Sequence, residues 1–264
     1  MPELEDIHYS RSDTIATIRS YYHFLTQMYL DESYIIEPPS GGWPSITPHS
    51  ATLSKSKEVI ALLRHLPYIH TTHNDTVDAE AAPECKFADW QDIFERATSR
   101  RMVENSTEHR ISDDGVPRHV VGLTFGGSFN PRFLLDVKLG TVLWSECPGE
   151  IDNEPLCETV DDDPYDYCAT EGEAEWRAEG RDWPINEFFE ELKGRFRRLE
   201  FVPVSGRRVV HVWMRGDAEF EGMVARVREV YREFGWPDLE RYDKRACLEA
   251  IGRVLKEEFP GLIP

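Results

Sequence analysis

Apolar residues recur at helical spacing in several stretches of the chain. In residues 12–30, one position in every three or four is apolar or aromatic, namely Ile15, Ile18, Tyr22, Leu25 and Tyr29. This spacing places them on one face of a helix, and we expect Ser12 or Asp13 to cap its amino terminus. The same pattern predicts helices over residues 55–66, 87–101, 184–199, 217–234 and 243–259. Residues 104–117 are polar and are interpreted as a loop.

The pattern changes in the middle of the chain. Short runs of β-branched and aromatic residues at 120–125, 133–137 and 141–144 are separated by glycine-containing turns, which is typical of strands. The connection that ends at Gly140 suits a hairpin, because glycine readily adopts the left-handed conformation of a bulged turn. Two further strands are predicted at 200–204 and 208–214. We therefore expect an α+β fold whose central, mainly antiparallel sheet packs against the helix carrying Phe188, Phe189 and Leu192.

Residues 146–182, called the acidic segment below, hold most of the net charge. The 264 residues include 49 Asp or Glu and 30 Lys or Arg, which gives a net charge of −19. The acidic segment has fourteen acidic residues and two arginines, and it therefore supplies −12 of that total. Because like charges repel strongly in a low dielectric, we expect this segment to be an extended, solvated excursion.

Part of the acidic segment is a candidate surface for binding a partner. Carboxylates attract basic proteins, and aromatic side chains exposed among them add contact area. The candidate partner-binding residues are Asp161, Asp162, Asp163, Tyr165, Asp166, Tyr167 and Trp176. The alternative for the three aromatic residues is local packing within a long loop. The partner expected from the charge is a basic protein.

Two stretches are similar to a known family. The central stretch resembles the sheet of the SUKH superfamily, which includes fungal cell-wall-assembly regulators, in Val121-Gly122-Leu123-Thr124-Phe125-Gly126-Gly127, Phe133-Leu134-Leu135-Asp136 and Leu139-Gly140-Thr141-Val142. The second stretch looks like the closing helix of that fold and reads Trp183-Pro184-Ile185-Asn186-Glu187-Phe188-Phe189-Glu190-Glu191-Leu192. The resemblance implies a non-catalytic binding module, since relatives regulate wall synthesis or bind bacterial toxins, and it supplies no catalytic residues. It covers residues 12–204, and residues 205–264 are expected to form a helical extension packed on the same body.

Composition and charge argue against several classes of function. A net charge of −19 repels phosphate backbones and anionic headgroups, so we expect neither nucleic-acid nor membrane binding. The acidic start and the lack of a long apolar run predict a cytoplasmic protein, with a nuclear location as the alternative. The five cysteines are odd in number and widely spaced, which favours free thiols, and we expect no cofactor and no bound metal.

The competing hypothesis is a hydrolase. One sequence leaves open that His70, His73 or His119 lies beside a carboxylate in a cleft, with or without a metal bound by His70 and His73. Ser128 follows Gly126-Gly127 but lacks the glycine of a nucleophile elbow at position 130. Residues 161–172 lack the glycine and glutamate of an EF-hand loop at the required positions. A non-catalytic interaction or regulatory module is therefore the preferred interpretation.

A group of cations follows the acidic segment, at Lys193, Arg195, Arg197, Arg198, Arg207 and Arg208. These side chains either contact an acidic partner or neutralise the chain's own acidic segment. The local excess of anions favours the internal role.

Overall fold

The computed structural model describes residues 2–47, 54–70, 78–97, 99–108, 111, 115–126, 130–214 and 216–262. Within these ranges the chain forms ten α-helices, two short 3₁₀ turns and eight strands, which is an α+β fold. The helices are α1 (Arg11–Met28), α2 (Lys57–Leu63), α3 (Trp90–Arg96), α4 (Arg100–Thr107), α5 (Gly149–Asp152), α6 (Pro164–Tyr167), α7 (Glu171–Ala178), α8 (Ile185–Arg197), α9 (Ala218–Glu233) and α10 (Lys244–Glu258). The strands are β1 (Ile35–Ile36), β2 (Tyr68–Ile69), β3 (Val120–Gly122), β4 (Arg132–Asp136), β5 (Thr141–Ser145), β6 (Gly180–Pro184), β7 (Phe201–Pro203) and β8 (Val209–His211).

The central sheet has four antiparallel strands in the order β3-β4-β5-β6. The predicted hairpin joins β4 to β5, and Gly140 has the left-handed backbone that its turn requires, with a φ of 77°. The fourth strand, β6, was not predicted, and it comes from the end of the acidic segment. Its pairing with β5 places Trp183 opposite Val142 and Asp182 opposite Leu143.

Helix α8 packs against this sheet as its apolar spacing predicts. The ring of Phe188 lies 4.9 Å from that of Phe133 and 5.9 Å from that of Trp183, measured between centroids. Phe188, Phe189 and Leu192 are fully buried. Edge-to-face aromatic contacts of this kind add to the free energy gained by burying apolar area. The prediction of an antiparallel sheet covered by this helix is confirmed.

The carboxy-terminal residues share the main core with the rest of the chain. Strands β7 and β8 pair antiparallel, and α9 and α10 begin after the predicted caps Asp217 and Asp243. The Tyr242 hydroxyl donates to the Met28 carbonyl at the end of α1, over 2.7 Å. Lys244 donates to the Leu30 carbonyl over 2.6 Å. Buried residues of α9 and α10 belong to the same apolar cluster as those of α1 and α8.

Three local predictions were wrong. Helix α1 is capped by Ser10, whose side chain accepts from the Asp13 amide, and not by Ser12 or Asp13. The single helix predicted over 87–101 divides into α3 and α4, because Asp89 and Ser99 each cap a helix of their own. The predicted loop over 104–117 therefore begins inside α4. At the starts of α1, α3 and α4, a side chain that satisfies free backbone amides sets the boundary.

Candidate protein-interaction surface

The acidic segment is folded and does not form an extended excursion. It contains α5, α6, α7 and β6, and it buries Ile151, Val160, Ala174 and Trp176. The prediction from charge density was wrong because a few apolar residues and one arginine, spaced along the segment, attach its inner side to the sheet. Ile151, Val160, Ala174, Trp176 and Arg177 are called the inner side of the acidic segment below.

Arg177 is the main polar anchor of the inner side. Its side chain is only 2% exposed, and Nη2 donates to Asp136 Oδ2 at 2.5 Å and to Glu173 Oε1 at 3.1 Å. Asp182 Oδ2 lies 3.8 Å from Nη1. The other oxygen of Asp136 accepts from the amides of Lys138 and Leu139 in the β4–β5 turn. Arg177 therefore joins α7 to the hairpin of the central sheet.

Burial around Arg177 raises the pKa of two neighbouring groups, Asp182 and Tyr167. Burial raises the pKa of Asp182 to about 7, although the nearby guanidinium acts in the opposite direction. Burial also raises the pKa of the Tyr167 hydroxyl, and the Asp182 carboxylate adds to that effect. One arginine thus faces three acidic side chains, and Asp182 is the one whose charge is least compensated.

Two of the three candidate aromatic residues belong partly or wholly to the inner side. Trp176 is 5% exposed, so its prediction as an exposed contact residue was wrong. The guanidinium of Arg177 lies over the Trp176 ring at 4.7 Å and over the half-buried Tyr167 ring at 5.9 Å. Tyr165 differs, because 57% of it is exposed. Trp176 therefore packs within the fold, as the alternative interpretation predicts, whereas Tyr165 is available for contact with a partner.

A second anchor ties residues 154–157 to α8. Glu191 Oε2 accepts from the amides of Leu156 and Cys157, and its other oxygen accepts from Arg195 Nε at 2.6 Å. Arg195 also donates to the Glu154 carbonyl at 2.6 Å. The basic residue Arg195 is thus used internally, as predicted. Lys193 pairs with Glu190, and Arg207 lies over the Tyr34 ring at 5.1 Å.

The outer side of the acidic segment carries the charge that reaches solvent. Ten of its fourteen acidic residues are exposed: Glu146, Glu150, Glu154, Glu158, Asp161, Asp163, Asp166, Glu171, Glu175 and Glu179. Asp163 also caps α6, accepting from the Tyr165 amide at 3.0 Å. Both arginines of the segment are engaged with carboxylates, because Arg177 is buried and Arg181 pairs with Asp152.

The amino-terminal residues enlarge this surface. Asp162 is half-buried because it accepts from the Leu4 amide at 2.8 Å, which brings exposed Glu3, Glu5 and Asp6 to the same region. A groove of about 390 Å³ nearby is lined by four carboxylates, those of Asp6, Asp13, Glu158 and Glu187. The outer acidic face is defined here as Glu3, Glu5, Asp6, Glu158, Asp161, Asp162, Asp163 and Asp166. The acidic start of the chain was visible in the sequence, but its 158-residue separation from Asp162 hid their proximity.

Two histidines of the hydrolase hypothesis, His70 and His119, each lie beside a different carboxylate. His70 Nδ1 is 2.7 Å from Asp89 Oδ2, and His119 Nε2 is 3.6 Å from Asp136 Oδ2. Each carboxylate already has a structural role, since Asp89 caps α3 and Asp136 holds Arg177 and the hairpin turn. His73 and Ser128 lie outside the described residues.

Within the described part of the chain, no cluster of three His, Cys, Asp or Glu side chains could hold a metal ion. No helix in that part is long and apolar enough to cross a membrane.

No protein-family model, curated protein or solved structure matches this chain. The resemblance to the SUKH superfamily therefore stays a prediction.

Proposed function

We propose that this chain is a non-catalytic interaction or regulatory module that recruits a basic protein through the outer acidic face. The observation that carries the proposal is the pairing of an anchored inner side with an outer side rich in exposed carboxylates. A surface of one sign accelerates encounter with partners of the opposite sign and disfavours partners of the same sign.

The anchors matter to this function because they fix the charge in space. A disordered acidic tail loses conformational entropy on binding, whereas a surface held by Arg177 and Arg195 is already ordered. Exposed Tyr165 and half-buried Tyr167 lie within the same surface and would add apolar contact area once a partner docks.

The hydrolase alternative receives less support. A histidine that acts as a general base must lie within reach of a substrate in a cleft. Neither His70 nor His119 lines the acidic groove of about 390 Å³, and the Asp136 oxygen nearest His119 is already paired with Arg177. The free thiols of all five cysteines are consistent with a reducing compartment, and we propose a cytoplasmic location with a nuclear one as the alternative.

The direct test is an association rate. A synthetic peptide of four Arg-Gly repeats would be mixed with the protein at about 0.05 M and about 0.5 M salt, a range over which screening shortens the reach of surface charge. The variant carries Asp161→Asn, Asp162→Asn, Asp163→Asn and Asp166→Asn. Asparagine retains an oxygen that can cap α6 and accept from the Leu4 amide. We expect association to slow more than dissociation quickens, and to slow mainly at low salt.

A matched control removes the same charge elsewhere. Glu219, Glu221, Glu240 and Glu257 are exposed on or beside α9 and α10, and all four are changed to Gln. This control variant should associate nearly as fast as the wild type. Equal slowing of the two variants would mean that only net charge matters and would refute the assignment of the outer acidic face.

A further inference from the structure

A small cavity lies at the end of the central sheet opposite the β4–β5 turn, next to the start of the acidic segment. It encloses about 200 Å³, less than the ~300 Å³ at which pockets for drug-sized ligands begin. Its walls include the aromatic residues Trp144, Phe201 and Trp213, from β5, β7 and the chain just after β8. Its size and walls suit one side chain of a partner.

The polar groups of this cavity include an unused hydrogen-bonding atom. His211 Nδ1 is buried and has no hydrogen-bond partner among the described residues. Burial lowers the pKa of His211, so the imidazole is neutral and Nδ1 can accept a hydrogen bond when the proton is on Nε2. The carboxylates of Glu84, which lines the same cavity, and of Glu150 raise this pKa and only partly offset the effect of burial.

The mouth of the cavity carries a net negative charge. Glu84, Glu146 and Arg132 line it, and Arg132 Nη2 pairs with Glu146 Oε2 at 2.5 Å. Glu84 is exposed and makes no ion pair within the described ranges. Both glutamates have a left-handed backbone, with φ of 53° and 54°, and only one other non-glycine residue described here does. Such a backbone is unfavourable for these residues and concentrates at functional sites.

We propose that this cavity binds the guanidinium group of an arginine from the basic partner. The guanidinium would pair with the exposed Glu84 carboxylate while its plane lies against an indole ring, and rotation of the His211 ring would bring its buried Nδ1 within hydrogen-bond distance. A planar cation that is weakly hydrated loses less on entering an aromatic cavity than a compact ammonium does. This inference rests on the proposed function for the identity of the partner, but the cavity itself is tested with a small molecule.

The probe is Nα-acetyl-arginine methylamide, compared with the citrulline compound, which has the same shape and no charge. The ¹⁵N signal of the His211 imidazole reports directly on hydrogen bonding at Nδ1. We expect the arginine compound to shift this signal saturably and the citrulline compound to bind at least about tenfold more weakly, since charged hydrogen bonds are the stronger ones. No shift with the arginine compound, or equal binding of the two compounds, would overturn the proposal.

Two variants of cavity residues, each close in shape to the wild type, limit the risk that a loss of binding only reports misfolding. His211→Phe retains a ring without the acceptor and should weaken binding on the order of tenfold. Glu84→Gln should weaken it roughly threefold, because the carboxylate is exposed and screened. The control Glu240→Gln should leave it unchanged.

The variant with four Asp→Asn changes on the outer acidic face should bind the small compound within about twofold of wild type. If that variant also leaves peptide association unchanged, the proposed function fails while the cavity assignment stands; if Glu84→Gln and His211→Phe have no effect, the cavity assignment fails alone.

Discussion

The inner and outer sides of the acidic segment have similar residues and opposite environments. On the inner side, Arg177 is 2% exposed and is surrounded by Asp136, Glu173 and Asp182. On the outer side, Asp161, Asp163 and Asp166 are exposed to solvent. The difference shows that charge density alone does not decide whether a segment folds. One buried cation and a few apolar side chains attach the segment, and the remaining carboxylates are left for the surface.

The largest effect that distinguishes the two sides should come from Arg177→Met. Removing one partner of a buried pair leaves a carboxylate uncompensated and typically costs about 3–5 kcal/mol. Urea unfolding of the variant should show a loss of that size. Arg181→Met is the control, because its pair with Asp152 is half-exposed and should contribute about 1 kcal/mol or less. Losses of equal size would mean that Arg177 is not an anchor.

Trp176 and Tyr165 offer a second comparison. Trp176→Ala removes a buried indole and should lower the free energy of unfolding by about 3 kcal/mol. Tyr165→Ala removes an exposed ring and should change it by less than about 0.5 kcal/mol. Thermal and urea unfolding of both variants would check this. A small effect of Trp176→Ala would restore the interpretation of this residue as a surface contact.

Asp182 should make the free energy of unfolding depend on pH. Its pKa is about 7 in the folded protein because of burial, whereas an unfolded Asp has a pKa of about 3.9. Between these values the folded state holds a proton that the unfolded chain releases, so stability falls as pH rises through the window. The slope from this group is at most about 1.4 kcal/mol per pH unit. Asp182→Asn should reduce the stability difference between pH 5 and pH 7.5, and an unchanged difference would contradict this assignment.

Local patterns explain why much of the fold was predictable. Glycine-containing turns separate the apolar runs at 120–125, 133–137 and 141–144, and α8, α9 and α10 have regular apolar faces. By contrast, β6 reads Gly-Arg-Asp-Trp-Pro, which has no apolar alternation. Its place at the sheet edge is set by pairing with β5, and neither length nor composition indicates that pairing.

The site depended on contacts between distant residues. Asp136 and Arg177 are separated by 41 positions and Leu4 and Asp162 by 158, so no local window contains either contact. Asp161, Asp163 and Asp166 are exposed and Asp162 is half-buried, while their role in binding a partner stays a prediction. Trp176 follows Glu175 and precedes Arg177, and this charged context gave no sign that its ring is buried.

The most direct measurement of the central claim is a map of amide chemical shifts during titration with the peptide of four Arg-Gly repeats. The account predicts that the perturbed amides lie in residues 3–6 and 158–166, with the residues around the His211 cavity as a second group. The shifts in residues 3–6 and 158–166 should disappear at high salt, where surface charges are screened beyond about 3 Å at 1 M. Shifts concentrated in α9 and α10, or spread evenly over the chain, would contradict the assignment of the outer acidic face as the partner-binding surface.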